Sequence, residues 1–361
     1  MKHLFPYEWT LKDAVFTKDQ GTVFSCFACG GGSTMGYKLA GFDVIGMNEI
    51  DPKMAECYIA NHNPKYPYVE PIQEFKLRDD LPEELYNLTI LDGSPPCSSF
   101  SVSGNREKDW GKNKKFREGQ AEQVLDTLFF DFIDVAEKLQ PKVVIAENVK
   151  GLLIGDAIQY VKEIYKAFDK AGYYVEKWLL DASTMGVPQR RERVFFLAMR
   201  KDVCEAIGAT ETVDMFNPMP WIDMVFKEPK IPFKDIMQIT GKTLPRQIDI
   251  DKWHKIPEGG RQEAIEPNGA GFNCTKIRKN EPCPTVTGKQ RENSLYSGLM
   301  HPQEPRKLNT HEFKLAGTYP VDYNFIHTDK ENQKTYLIGM SVPPLMTAQI
   351  ATRLKKYWLF S

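Results

Sequence analysis

From Thr22 to about Arg200, short apolar runs of strand character alternate with helical stretches; the runs are TVFSCFA, DVIGMNE, LTILDG, VVIAEN, YVEKWLLDA and RVFFLAM. This alternation predicts an α/β fold with a largely parallel sheet. Strands covered on both faces read as continuous apolar runs, and each needs a crossover to reach a parallel neighbour. Between two of these runs, residues 121–139 set Leu125, Leu128, Phe129, Phe132, Ala136 and Leu139 at helical spacing, which predicts a crossover helix. Past Arg200 the rhythm gives way to Pro-rich segments such as FNPMPW, KEPKIP and IPEGG, and a helical stretch returns from about Gln333. The expected organisation is a first domain over 20–202 joined by 330–361, a smaller irregular domain over 203–300, a hinge region over 301–329 and an N-terminal extension over 1–19.

Composition narrows the class. With 361 residues, 42% hydrophobic and 26% charged, the chain can bury a sizeable core and is neither disordered nor fibrous. No run approaches the ~20 apolar residues of a bilayer span, so no membrane association is expected. Lys+Arg 47 against Asp+Glu 48 leaves a net charge of -1, so a polyanion would have to be met by local basic patches. The start, MKHLFPYEWTLKDAVF, carries Glu8 and Asp13 and has no apolar signal core, which makes a cytosolic location the expectation. Seven cysteines, an odd number, read as reduced thiols.

Three strand ends carry chemistry. TVFSCFA runs into Cys29-Gly30-Gly31-Gly32-Ser33 and then a helical stretch, a turn in which backbone can approach a ligand closely. Glu49 ends the next strand about 20 residues on, the spacing of a carboxylate that meets ribose hydroxyls. No Lys-Ser/Thr follows the glycines, which disfavours a phosphate-cradling loop. LTILDG leads through Pro95 and Pro96 to Cys97 among Ser98, Ser99 and Ser101, and VVIAEN ends in Glu147 and Asn148. A thiol and a carboxyl converging on the carboxyl edge of a parallel sheet make a nucleophile and proton-donor pair.

These runs occur in the order FACGGGSTMGYKLAG, NEID, SPPCSSFS, ENVKGL, QRRERVFFLA, EPCPTVTG and YLIGMSVPP, and in that series the chain resembles the cytosine-5 DNA methyltransferases from Val23 to its end. The resemblance implies a Rossmann-like S-adenosyl-L-methionine-dependent sheet with a smaller irregular target-recognition domain. It implies Cys97 as the nucleophile that adds to C6 of cytosine, Glu147 as the donor to N3, Asn148 as its positioner, and Arg191 and Arg193, alternating on one strand face, near the ring O2 and the catalytic loop. The cofactor would be held by Phe27, Ala28, Cys29, Gly31 and Gly32, with Glu49 on its ribose, Ile50 beside its adenine, and Ile72, Pro96, Ser341 and Val342 completing the pocket. S-adenosyl-L-homocysteine would leave as product, and no metal is implied. The target base would have to leave the duplex stack to be attacked.

The implied partner is double-stranded DNA, bound by a monomer, with a cognate restriction endonuclease as an open companion. Residues 104–118 hold six Lys/Arg against three acids, and 276–291 hold five against one. Ser99, Ser101, Arg106, Lys112, Lys114, Arg278 and Lys289 are the expected DNA contacts. Residues 201–300 balance 14 Lys/Arg with 14 Asp/Glu, so the recognition sequence is not readable.

Three stretches depart from the family pattern. Asp-Leu-Phe-Ala-Gly is replaced by Ser25-Cys26-Phe27-Ala28-Cys29, losing an acid and a glycine; the acid usual near Pro71-Ile72 is absent; and Met340 stands where an asparagine is usual. These bear on cofactor affinity rather than on reaction type. The competing readings are a tRNA methyltransferase on the same scaffold, which usually has Gln-Pro-Phe-Thr after the cysteine, and a non-catalytic DNA-binding regulator; a nicotinamide oxidoreductase explains only the glycines.

Overall fold

The computed structural model describes residues 3–96, 127–155, 157–207, 219–261, 274–288, 297–326 and 331–359, together with the short strands at 113–114 and 123–124. In chain order the strands are β1 (Thr22–Cys26), β2 (Asp43–Asn48), β3 (Tyr66–Tyr68), β4 (Ile90–Gly93), β5 (Asn113–Lys114), β6 (Gln123–Val124), β7 (Val143–Val149), β8 (Tyr173–Asp181), β9 (Glu192–Arg200), β10 (Cys274–Lys276) and β11 (Gly298–Met300). The helices are α1 (Gly32–Leu39), α2 (Pro52–His62), α3 (Ile72–Phe75), α4 (Leu128–Leu139), α5 (Ala157–Lys170), α6 (Lys201–Ala206), α7 (Gln247–Lys255), α8 (Thr310–Ala316), α9 (Glu331–Met340) and α10 (Pro344–Leu354). Among the described residues, no helix is long and apolar enough to cross a membrane.

Seven strands form one mixed sheet in the order β3-β2-β1-β4-β7-β9-β8. The first five run parallel, while β9 pairs with β7 antiparallel, Glu147 facing Phe195 and Val149 facing Arg193. β1 has β2 on one side and β4 on the other, so the strand order reverses there, and such a reversal opens a crevice at the strands' carboxyl ends. The predicted crossover helix is α4, which begins at Leu128 rather than at 121; β6 occupies part of the interval before it. Its apolar face, with Phe129, Phe132, Ala136 and Leu139, joins Phe24, Leu91, Val144, Phe196 and helix α5's Ile164 and Phe168 in the main core.

Helix ends follow the local sequence. Asp51 accepts from the N–H groups of Lys53 and Met54 and precedes Pro52, a residue whose fixed φ and missing N–H suit the first helical turn. Asn309 and Glu312 close a reciprocal capping box on α8.

Two compact units are distinguished by their internal packing: one of 15–180, 192–225 and 348–361, which holds the sheet, and one of 1–14, 181–191 and 226–347. In the first, the chain's end lies against the loop after α1, with Lys355 Nζ donating to the Ala40 carbonyl at 3.4 Å. In the second, β10 and β11 pair in parallel over a small core of Leu244, Trp253, Ile256, Cys274 and Met300. Much of this unit is loop, held by the buried Arg306 guanidinium, which donates to Glu304 at 2.6 Å and to Glu312 at 2.8 and 2.9 Å.

Candidate active site

β1 ends in a loop built on left-handed backbone: Phe27 has φ 53°, Cys29 φ 49° and Gly31 φ 78°. Gly31 precedes α1, and a Cβ there would lie 2.3 Å from His62 Nε2, so only glycine lets the loop close on that ring. Burial and the Lys38 ammonium push the His62 imidazole down to about 3, against its hydrogen bond to the Gly30 backbone, so the ring sits under the loop as a neutral group. The Ala28 amide donates to the Asn48 carbonyl at 3.2 Å, which ties the loop to the end of β2.

Glu49, next after β2, is buried and accepts from the Cys29 amide at 2.7 Å and the Asp51 amide at 2.9 Å. Burial pushes its carboxyl up to about 7, against the lowering effect of those same amides. The loop and the expected ribose acceptor are therefore in direct contact. Ile50 beside it is half-buried. Ile72 opens α3 and is buried in the main core. Two residues before it, Glu70 pairs with Arg78 at 2.9 Å through Oε2, while its buried Oε1 has no hydrogen-bond partner among the described residues. That is an acid close to the place where the family's own acid is missing.

β4 ends at Gly93, and Ser94 leads on to Pro95 and the half-buried Pro96, the residue before 97 in the sequence. The Asn148 side chain donates to the Pro95 carbonyl at 3.2 Å, so the end of β7 holds the Pro-Pro turn. One residue earlier on β7, Glu147 Oε1 meets Arg193 Nε at 2.9 Å, with both side chains mostly covered. The expectation that Arg191 and Arg193 share a strand face fails. Arg191 precedes β9, and its buried Nη1 donates to the carbonyls of Val286 at 3.0 Å and Gly339 at 3.1 Å. In the second unit Arg191 thus joins EPCPTVTG to YLIGMSVPP, whose Gly339 packs on Thr287 and Gly288 so tightly that a Cβ would lie 2.4 Å from the Thr287 backbone. In the same unit Ser341 and Val342 are buried, and the Ser341 hydroxyl donates to the Leu337 carbonyl at 2.9 Å.

Cys97, Ser99, Ser101, Arg106, Lys112 and Lys289 lie outside the described residues, and Lys114 falls in the short β5. Arg278 is more than half exposed. Lys276, counted in the same basic stretch, is instead buried with its ammonium 3.4 Å from the centre of the Trp253 ring, so it cannot present charge to a phosphate. Among the described residues no cluster of three or more His, Cys, Asp or Glu could hold a metal ion.

Sequence reasoning passed over Asp92. It lies at 4% exposure near the end of β4 and accepts from Ser25 and Tyr37. The missing acid at position 25 is the signal that could have found it, because Ser25 and Asp92 are partners in the β1–β4 register.

The family model for the C-5 cytosine-specific DNA methylase matches residues 21–356. The type II methyltransferase M.FnuDI of Fusobacterium nucleatum is 29% identical, over 92% of this chain and 94% of its own, and M.Eco47II of Escherichia coli is 28% identical, over 94% and 80%. Among solved structures, a DNA modification methyltransferase from an E. coli prophage superposes with a TM-score of 0.66 at 18% identity, covering 93% of this chain and 99% of that one. The DNMT2 protein of Spodoptera frugiperda gives 0.61 at 15%, covering 92% and 99%. A sheet whose strand ends bring a glycine loop, a buried glutamate, a Pro-Pro turn and an Arg-held glutamate to one edge, matched by the family model over nearly its whole length, makes this chain a member of the C-5 cytosine-specific DNA methylase family.

Proposed function

We propose that the chain methylates C5 of a cytosine turned out of duplex DNA, through a transient bond between the Cys97 sulfur and C6 of the ring. The observation that carries this is the pairing of β7 with the Pro-Pro turn: Asn148 grips the Pro95 carbonyl while Glu147, beside it, is oriented by Arg193. A ring seated there would have a thiol approaching C6 and a carboxyl approaching N3.

The Cys97 sulfur adds as thiolate, so the C5–C6 electron pair moves toward C5 as N3 gains a proton or a strong hydrogen bond. Arg193 holds Glu147 by Oε1, which leaves Oε2 to meet N3. Two prolines before the thiol restrict the backbone that presents it. Loss of the C5 proton and expulsion of the thiolate restore the aromatic ring.

The residues present fit S-adenosyl-L-methionine. The left-handed turn with Gly31 has no Cβ to keep a ligand from its backbone, Glu49 would be an acceptor for ribose hydroxyls, and Glu70 Oε1 would be an acceptor near the expected adenine position. When bound, that molecule supplies an electrophilic methyl carbon next to its sulfonium. Phe27, Ala28, Cys29, Gly31, Gly32, Ile50 and Pro96 would line its site. DNA phosphates would be met by Arg278 and by the basic stretches expected around it. The type II methyltransferases among its relatives support pairing this chain with a restriction endonuclease of the same target.

The test is transfer of a labelled methyl group to duplex DNA and to tRNA, with the unsubstituted chain and Cys97→Ser. Label in DNA alone, abolished by Cys97→Ser with cofactor binding kept, is the expected result. Label in tRNA alone, or undiminished transfer by Cys97→Ser, contradicts the reading.

A further inference from the structure

The end of β4 carries a buried carboxylate that the mechanism above does not use. Asp92 Oδ2 accepts from the Ser25 hydroxyl at 2.9 Å and Oδ1 from the Tyr37 hydroxyl at 3.0 Å, and the Ser33 hydroxyl is a further donor to the same carboxylate. Ser25 lies on β1, the strand that enters the glycine loop; Ser33 and Tyr37 lie one helical turn apart on α1, the helix that leaves it. Asp92 itself lies on the strand that enters the Pro-Pro turn. One side chain therefore joins the three segments that meet at the reversal of strand order.

We propose that Asp92 is a positioning residue for cofactor binding, fixing the glycine loop and the first turns of α1 against the strand that leads into the Pro-Pro turn. The proposal rests on the reading that this loop binds S-adenosyl-L-methionine. A carboxylate only accepts, so an ionised Asp92 compels all three hydroxyls to donate inward and sets the rotamer of each. Burying it is costly, and that burial pushes its carboxyl up to about 7 with the hydroxyl donors opposing. An apolar residue would be cheaper for stability alone, so the group's place at this junction favours positioning over bulk packing.

The arrangement also accounts for the departure at position 25. The acid usual there in the family is absent, and its register partner across the β1–β4 pairing is an acid instead. In this chain the acid of that rung stands on β4, opposite a serine on β1.

That pairing supplies the test. Binding of S-adenosyl-L-methionine is measured by titration calorimetry for the unsubstituted chain, Asp92→Ser, Ser25→Asp, and the double exchange Ser25→Asp with Asp92→Ser. Asp92→Ser is expected to weaken binding about tenfold or more, the scale of lost hydrogen bonds to a charged group, and to raise KM for the cofactor while KM for DNA stays unchanged. Ser25→Asp alone sets two acids on one rung and should weaken binding too, whereas the double exchange should return it most of the way. Should Asp92→Ser fail to fold by circular dichroism, Tyr37→Phe removes one donor and is expected to weaken binding several-fold. Unchanged binding in Asp92→Ser or in Tyr37→Phe, or a double exchange as weak as Asp92→Ser, overturns the proposal. Absence of binding in the unsubstituted chain would overturn the cofactor reading, and this proposal with it.

Discussion

Glu49 is held by two backbone amides and still has its carboxyl pushed up to about 7, because burial outweighs both hydrogen bonds. A carboxyl raised in the fold stabilises it fully below the unfolded value near ~4.3, and that contribution is lost as pH climbs through the folded value. Between about pH 4.5 and about pH 7.5 the ligand-free chain is therefore expected to lose melting temperature relative to Glu49→Gln. Cofactor affinity should move the other way across the same interval, since the ionised carboxylate is the better acceptor for ribose hydroxyls; equal pH profiles for both proteins would contradict this. Cys29 makes a second case. Its φ of 49° lies in the left-handed region, where a side chain costs about 1–2 kcal/mol and glycine costs little. Cys29→Gly is expected to raise stability by about 1 kcal/mol, read as a melting temperature higher by about 2–4 °C. A lower one would mean that the contact of its sulfur with Met54 at 3.9 Å outweighs the strain. Glu49 and Glu147 were legible because an acid ending an apolar run stands out. Asp92 was not, since its only signal, the missing acid at position 25, points to it through a strand register that the linear sequence does not reveal.

The hold of β7 on the Pro-Pro turn makes its own prediction at the scale of elements. Asn148→Ala removes the donor to the Pro95 carbonyl and should lower kcat about tenfold while leaving cofactor affinity unchanged, because the loop after β1 does not depend on that bond. A loss confined to cofactor binding would show that Asn148 acts elsewhere. The six apolar runs correspond to β1, β2, β4, β7, β8 and β9, where buried strands dominate the pattern. β3 escaped notice: Tyr66-Pro67-Tyr68 is three residues long with a proline, and it lies at the sheet's edge, where a missing N–H is tolerated. The reversed direction of β9 escaped for another reason, since an apolar run looks the same whichever way its strand is laid down. Arg191 and Arg193 sit two apart in a strand-like run, yet the strand begins between them and only Arg193 reaches Glu147.

At the scale of the whole molecule, a net charge of -1 means that DNA must be met by particular side chains rather than by the overall field. Counting charges misjudged Lys276, which covers Trp253, and composition alone could not foresee that. The second unit was the least legible part. Its loops are held by Arg306, Glu304 and Glu312 in buried ion pairs that leave no period in the sequence. The catalytic reading spans the chain and turns on one atom, the Cys97 sulfur, so covalent capture tests it most directly. Random duplex fragments synthesised with 5-fluoro-deoxycytidine, incubated with the chain and S-adenosyl-L-methionine, cannot lose a C5 proton after methyl transfer, and the thioether should persist. The predicted result is a denaturant-resistant protein–DNA complex whose digest maps the modified nucleotide to Cys97, absent from Cys97→Ser. Methylation of ordinary DNA without such a complex, or a complex mapping to another residue, would contradict it.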